Sequence, residues 1–145
     1  RLVGSEMCIR DSISCIQNNS FASIAGIGPD ILCLQEIRTQ QEPVILPGYQ
    51  HCWNHGQRNG YAGTAVLFKR EPLSITFGLC DDGSDEEGRA ITMEYQNFFL
   101  LNAYVPNSQK NLARHAYRLE WDHRNHRRRA QGPKKRLLRS GNTMD

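Results

Sequence analysis

No apolar run in this chain approaches the length of a membrane span, and no segment joins a basic start to an apolar centre as a secretory signal does. No membrane partner is expected. Paired cysteines are missing too. The five present (Cys8, Cys15, Cys33, Cys52, Cys80) are odd in number and contain no CxxC pair. That argues against a disulfide framework and a zinc site, and for reduced thiols inside a cell. Internal repeats are absent as well, which excludes a repeat architecture. What remains is 145 residues, 39% hydrophobic and 23% charged, enough for one domain with a core of its own.

The net charge of +3 conceals an asymmetry. Residues 1–122 carry 10 Lys/Arg against 14 Asp/Glu, whereas residues 123–145 carry 8 against 1. A break that sharp marks either a basic arm or a foreign segment. At the other end, residues 1–11 ("RLVGSEMCIRD") show neither helical nor strand periodicity. They resemble a translated sequencing-adapter read and are expected to be non-native; the alternative is a natural terminus without fixed structure.

Between these ends the patterns are regular. Ile13, Ile16, Phe21, Ile24 and Ile27 recur at spacings of three to five, which predicts a helix from Ser12 to Gly28. Asp30 to Gln35 reads as a strand, and its continuous apolar run predicts burial on both faces. Leu32, Leu34 and Glu36 point one way, Ile31, Cys33 and Gln35 the other. Glu36 therefore stands at the C-terminal end of a buried strand, either as a working group or as a solvated carboxylate opening a loop. "LPGYQHCWNHG" reads as a turn at Pro47-Gly48 followed by an extended aromatic segment, and "GYAGTAVLFKREP" and "LSITFGL" as strands, followed by the acidic loop "CDDGSDEEG". A hairpin is predicted with strands Arg89–Glu94 and Phe98–Val105 around Gln96-Asn97. In its second strand Phe98, Leu100, Asn102 and Tyr104 share a face. "LARHAYRLEWD" predicts a helix with Leu112, His115/Ala116, Leu119 and Trp121 on its apolar stripe, ending by Asp122 because the pattern then collapses. Trp53 and Trp121 read as core aromatics.

"PDILCLQE", "GYAGTAVLF", "DEEGRAITMEY", "LLNAYVPN" and the spaced "R..YRLEWD" together resemble the exonuclease III type of apurinic/apyrimidinic endonuclease, in the endonuclease/exonuclease/phosphatase superfamily. The resemblance runs in order over residues 29–122. It implies an α/β fold, a four-layer sandwich with helices outside two β-sheets. Only the N-terminal half is expected here, with these strands forming mainly one sheet. The implied activity is hydrolysis of the phosphodiester 5′ to abasic sites in double-stranded DNA, with Mg²⁺ (or Mn²⁺) as cofactor and a monomeric parent enzyme. By the same resemblance Glu36 is the metal ligand and Tyr104 the active-site tyrosine. Asn102, Asn107, Lys110 and Arg114 would contact DNA. Lys110 stands where some relatives carry Arg, and keeps the charge without the bidentate fork. Arg89, in "EGR", reads as an internal anchor for the acidic loop.

The sequence also departs from the family pattern. The opening strand with its "WN" asparagine, the "GD.N" pair and the closing "SDH" are not found. Residues 12–122 are thus read as the N-terminal half of such a domain, and residues 123–145 as a frame-shifted tail. The competing reading is a non-enzymatic nucleic-acid-binding protein that uses the basic tail. A related superfamily phosphodiesterase is a further alternative. On the first reading residues 1–11 and 123–145 pack poorly and the chain as written is inactive.

Overall fold

In the computed structural model, residues 6–10, 23, 26–40, 46–79, 85–108, 112–131 and 136–141 are described, with 6–10, 129, 131 and 136–141 as backbone alone. Strand β2 (Ile31–Gln35) is buried along its whole length, as its unbroken apolar run predicts. Its side chains divide between two cores. Leu32 and Leu34 join Ile37, Trp53, Ala65 and Leu67 on one face. Ile31 and Cys33 join Val66, Phe68, Ile91, Met93 and Leu100 on the other. Period-two alternation requires this division once both faces are covered.

Two four-stranded sheets build the body. The first has the order β1-β2-β4-β3, with β1 (Glu6–Arg10), β3 (Gln50–Asn54) and β4 (Thr64–Phe68). The second has the order β5-β6-β7-β8, with β5 (Ser74–Phe77), β6 (Ala90–Glu94), β7 (Phe98–Ala103) and β8 (Arg136–Gly141). Among the described strands, only the β1–β2 and β7–β8 pairs are parallel. The inner core draws on both sheets, so they stack face to face. Helix α1 (His115–Gln131) covers the outer side of the second sheet through Trp121, which packs with Leu79, Ala90, Leu101 and Ala103. Helix, sheet and sheet are three layers of the expected α/β sandwich. Of the helix predicted over 12–28, only Ser23, Gly26, Ile27 and Gly28 are described, the first three of them helical.

The predicted hairpin forms in the register Ile91↔Asn102 and Met93↔Leu100. Three expectations need correction. The strands do not lie mainly in one sheet: β5, β6, β7 and β8 make up the second. Strand periodicity reports burial, not the identity of a pairing partner.

Helix α1 runs nine residues past Asp122, and of its predicted stripe only Trp121 faces the core, Leu112 lying before the helix. Leu112 and Leu119 are exposed, while Trp121 and Asn125 are buried. One anchoring aromatic decides which face docks, and Arg and Gln sustain the rest because their helix propensity is good. Residues 6–10 and 136–141, expected to pack poorly, pair through their backbones with β2 and β7. Parallel pairing rests on backbone groups, which side-chain alternation does not reveal.

Candidate active site

The ends of β2 and β7 meet at one point. Gln35 and Asn102 lie in different sheets, both buried, and Gln35 Nε2 donates to Asn102 Oδ1 at 2.6 Å. The Asn102 amide then donates to the carbonyls of Leu34 (3.1 Å) and Ala65 (2.9 Å). One asparagine thus ties a hairpin strand to two strands of the opposite sheet. Asn102 was expected to contact DNA. It is instead 0% exposed, with its amide turned to those internal carbonyls. The residues just beyond this lock are Glu36 on one strand and Tyr104 on the other, so both expected catalytic groups stand at the same end of the sandwich.

Glu36 leaves the strand abruptly. Its φ is +57°, a left-handed conformation that costs a non-glycine residue of order 1 kcal/mol or more and collects at functional sites. The turn is held from outside. Ile37 N donates to Gly63 O at 3.3 Å and Arg38 N to Ala62 O at 2.9 Å. Gly63 (φ +89°) has no room for a side chain, since a Cβ there would lie 2.6 Å from Ile37 Cγ1. The Glu36 carboxylate is largely buried and accepts from Arg38 Nη2. Of the two readings open for Glu36, the loop carboxylate in free water is the one the structure disfavours.

A second cluster forms around Glu87, a residue the sequence did not single out. Arg89 Nε donates to Glu87 Oε2 at 2.5 Å and Arg114 Nη2 to Oε1 at 2.6 Å. The Tyr117 hydroxyl donates to Oε2 at 3.2 Å. Burial alone would push the Glu87 carboxyl up, but the two guanidinium groups outweigh it and hold the group below its ordinary value. Burial, then the Glu87 charge, pushes the Tyr117 phenol up to about 12. Nearby, Asp85 Oδ2 accepts from Asn54 Nδ2 (2.8 Å) and Ala90 N (2.9 Å), closing the loop before β6. Its carboxyl is raised by desolvation, which these bonds only partly oppose. Arg89 is therefore the internal anchor it was read to be. The signal for Glu87 was its spacing from Arg89, two residues away in an acidic loop; the partners on α1 are not visible in sequence.

Tyr104 sits half-buried just past β7, and Asn107 is exposed three residues on. Lys110 lies outside the described residues. Arg114 is turned inward: besides Glu87, it donates through Nη1 to the Tyr61 hydroxyl at 2.5 Å and stacks 4.4 Å from the Tyr117 ring centroid. It still lines a cleft of about 330 Å³ with Gln57, Arg58, Tyr61, Glu86 and Glu87. Among the described residues no group of three or more His, Cys, Asp or Glu is placed to hold a metal. Mg²⁺ keeps several waters and takes one or two protein carboxylates. Glu36, a single hard oxygen donor fixed at a strand end, fits such a water-rich ion and does not make a closed protein site.

Residues 16–143 match the family described as the endonuclease/exonuclease/phosphatase family, and the chain belongs to it. Within that family it is similar to the exodeoxyribonuclease of Bacillus subtilis, 43% identical over 95 residues that cover 64% of this chain and 38% of that one. It is also similar to the DNA repair nuclease APEX1 of Danio rerio, 40% identical over 114 residues, 74% of this chain and 37% of that one. Its fold matches the AP endonuclease LMAP from Leishmania major with a TM-score of 0.74 at 20% identity, over 94% of this chain and 53% of that one. A 3′ phosphatase from Neisseria, solved with a product DNA hairpin, matches at 0.69 and 21% identity over 94% of this chain and 55% of that one. The chain thus joins the exonuclease III and AP endonuclease group, whose named members are enzymes. It spans under two-fifths of the curated relatives it matches here.

Proposed function

We propose that the chain is the metal-binding half of a divalent-metal-dependent DNA repair nuclease whose whole form hydrolyses the phosphodiester 5′ to abasic sites. The observation that carries this reading is the Gln35–Asn102 hydrogen bond, which brings Glu36 and Tyr104 to one end of the sandwich from two different sheets. Glu36 holds Mg²⁺, or Mn²⁺ in its place. A bound divalent ion supplies Lewis-acid polarisation of a phosphate and charge stabilisation of a leaving oxygen. Tyr104 offers a phenol to hydrogen-bond that phosphate. Asn107 and Lys110, on the segment after β7, and Arg114, in the cleft beside Tyr61, contact the sugar-phosphate backbone of the duplex. Asn102 holds the site together from within. The residues that orient a nucleophilic water in the family's "GD.N" and "SDH" motifs are not in this sequence, so the chain as written is inactive. The working protein is a monomer acting inside the cell, where its DNA is. No helix among the described residues is long and apolar enough to cross a membrane.

The test uses a frame-restored, full-length version and a duplex with one abasic analogue. Metal-dependent incision that Glu36→Gln lowers at least about 100-fold, with DNA affinity kept, supports the reading. Unchanged turnover in saturating Mg²⁺ removes Glu36 from the metal role.

A further inference from the structure

We propose that Arg89 is a positioning residue for Tyr104, held in place by Glu87. The proposal rests on the reading of Tyr104 as the site phenol, and it concerns how that phenol is oriented and charged. Arg89 lies just before β6 and is 2% exposed. Its guanidinium carbon stands 4.5 Å from the centroid of the Tyr104 ring. The same side chain donates through Nη1 to the Tyr104 carbonyl at 3.1 Å. The Tyr104 amide donates in turn to the Arg89 carbonyl at 2.7 Å. One arginine therefore grips the backbone of Tyr104 at both its amide and its carbonyl and covers a face of its ring.

A buried guanidinium needs an anion, because a lone charge out of water is costly. Glu87 is that anion, through Arg89 Nε at 2.5 Å. The carboxylate is itself steadied by Arg114 and the Tyr117 hydroxyl, and Arg89 Nη2 reaches the Tyr61 hydroxyl at 3.4 Å. The chain of contacts runs from helix α1 through Glu87 and Arg89 to the ring at the end of β7. A cation on the ring face fixes the ring plane and favours negative charge on the phenol oxygen. Lysine cannot replace it, since a point charge neither forks to Glu87 and the carbonyl nor lies flat on the ring. An arginine that served only to anchor the 85–90 loop would hold the fold equally well but leave the phenol's titration untouched, and this difference is measurable.

The experiment is an ultraviolet titration of tyrosinate in the chain as it stands, with Tyr104 identified as the signal lost in Tyr104→Phe. In Arg89→Met that signal should move to higher pH by roughly one unit or more, the size expected for removing a cation within about 4–6 Å. A folded Arg89→Met with an unmoved Tyr104 midpoint overturns the proposal. Should Arg89→Met fail to fold, Arg89→Gln decides: its neutral amide can still hydrogen-bond Glu87 and the Tyr104 carbonyl but removes the cation from the ring face, and an unmoved midpoint there overturns the proposal too. No cleavage enters this measurement. A failure here leaves the nuclease reading standing, and a failure of Tyr104→Phe to lower cleavage in the full-length enzyme leaves the Arg89–Tyr104 coupling standing.

Discussion

Asn102 shows how differently a residue reads alone and in place. In sequence it is a polar residue near the end of a strand, beside a tyrosine, and a DNA contact is a natural assignment. In the fold it faces inward between two sheets and satisfies two backbone carbonyls and a glutamine. Asn102→Ala should therefore cost stability on the order of 3 kcal/mol, since each buried group left unpaired costs about 1–3 kcal/mol. Urea unfolding of the variant checks this; an unchanged midpoint would mean that the lock contributes nothing. Glycine tells a similar story. Gly88 has φ +61°, and a Cβ there would lie 2.7 Å from the His55 carbonyl carbon. Gly88→Ala should destabilise by at least about 1 kcal/mol through backbone strain alone, and more through the clash. Thermal unfolding reads it directly.

At the scale of elements, helix α1 and the loop before β6 depend on each other. Trp121 holds the helix to the second sheet, whereas Leu119, on the stripe predicted to be apolar, is 55% exposed. Trp121→Ala should cost about 3–5 kcal/mol, and Leu119→Ala close to nothing. The reverse order in chemical denaturation would mean that Leu119, not Trp121, anchors the helix. The electrostatic link between helix and loop is Glu87, whose carboxyl lies below its ordinary value of 4.5 in the folded state. A depressed carboxyl contributes stability above its unfolded value and loses it as pH falls through the folded one. The Glu87 contribution should therefore be intact at neutral pH and fade below about pH 4.5. Glu87→Gln should flatten that part of the acid profile of the unfolding midpoint. Asp85 acts with the opposite sign, because its carboxyl is raised by burial: its contribution is largest in acid and declines as it ionises. An acid profile unchanged by Glu87→Gln would show that the ion pairs do not couple to folding.

For the whole molecule the expectation is that the chain as written does not incise abasic DNA. Hydrolysis of this kind needs a metal, an oriented water and charge stabilisation held in one geometry. On the proposed reading Glu36 serves the first and Tyr104 part of the third. Groups that act as a unit lose nearly everything when some are missing, not a proportionate share. Incubation of residues 1–145 with a duplex carrying one abasic analogue and Mg²⁺ should give no product above a Glu36→Gln control. Incision above that control would mean that the catalytic groups have been misplaced. Leu73, Ile75 and Phe77 are also exposed at the edge strand β5. Edges of that kind invite pairing with other chains, so the same sample should aggregate at raised concentration, as light scattering would show.

Much was legible because side-chain periodicity and short-range pairing are local. The doubly buried β2, the hairpin at Gln96-Asn97, the core roles of Trp53 and Trp121, and the family motifs carrying Glu36 and Tyr104 follow from residues near one another in the chain. What only the tertiary structure decided depends on partners far apart in sequence: the division of the described strands between two sheets, the inward turn of Asn102, the outward turn of Leu112 and Leu119, and the gathering of Glu87, Arg89 and Arg114. The physical reason is the same in each case. A strand's alternation records how much of it is buried but not against what, and a charged side chain records its need for a counter-charge but not which of several it will meet.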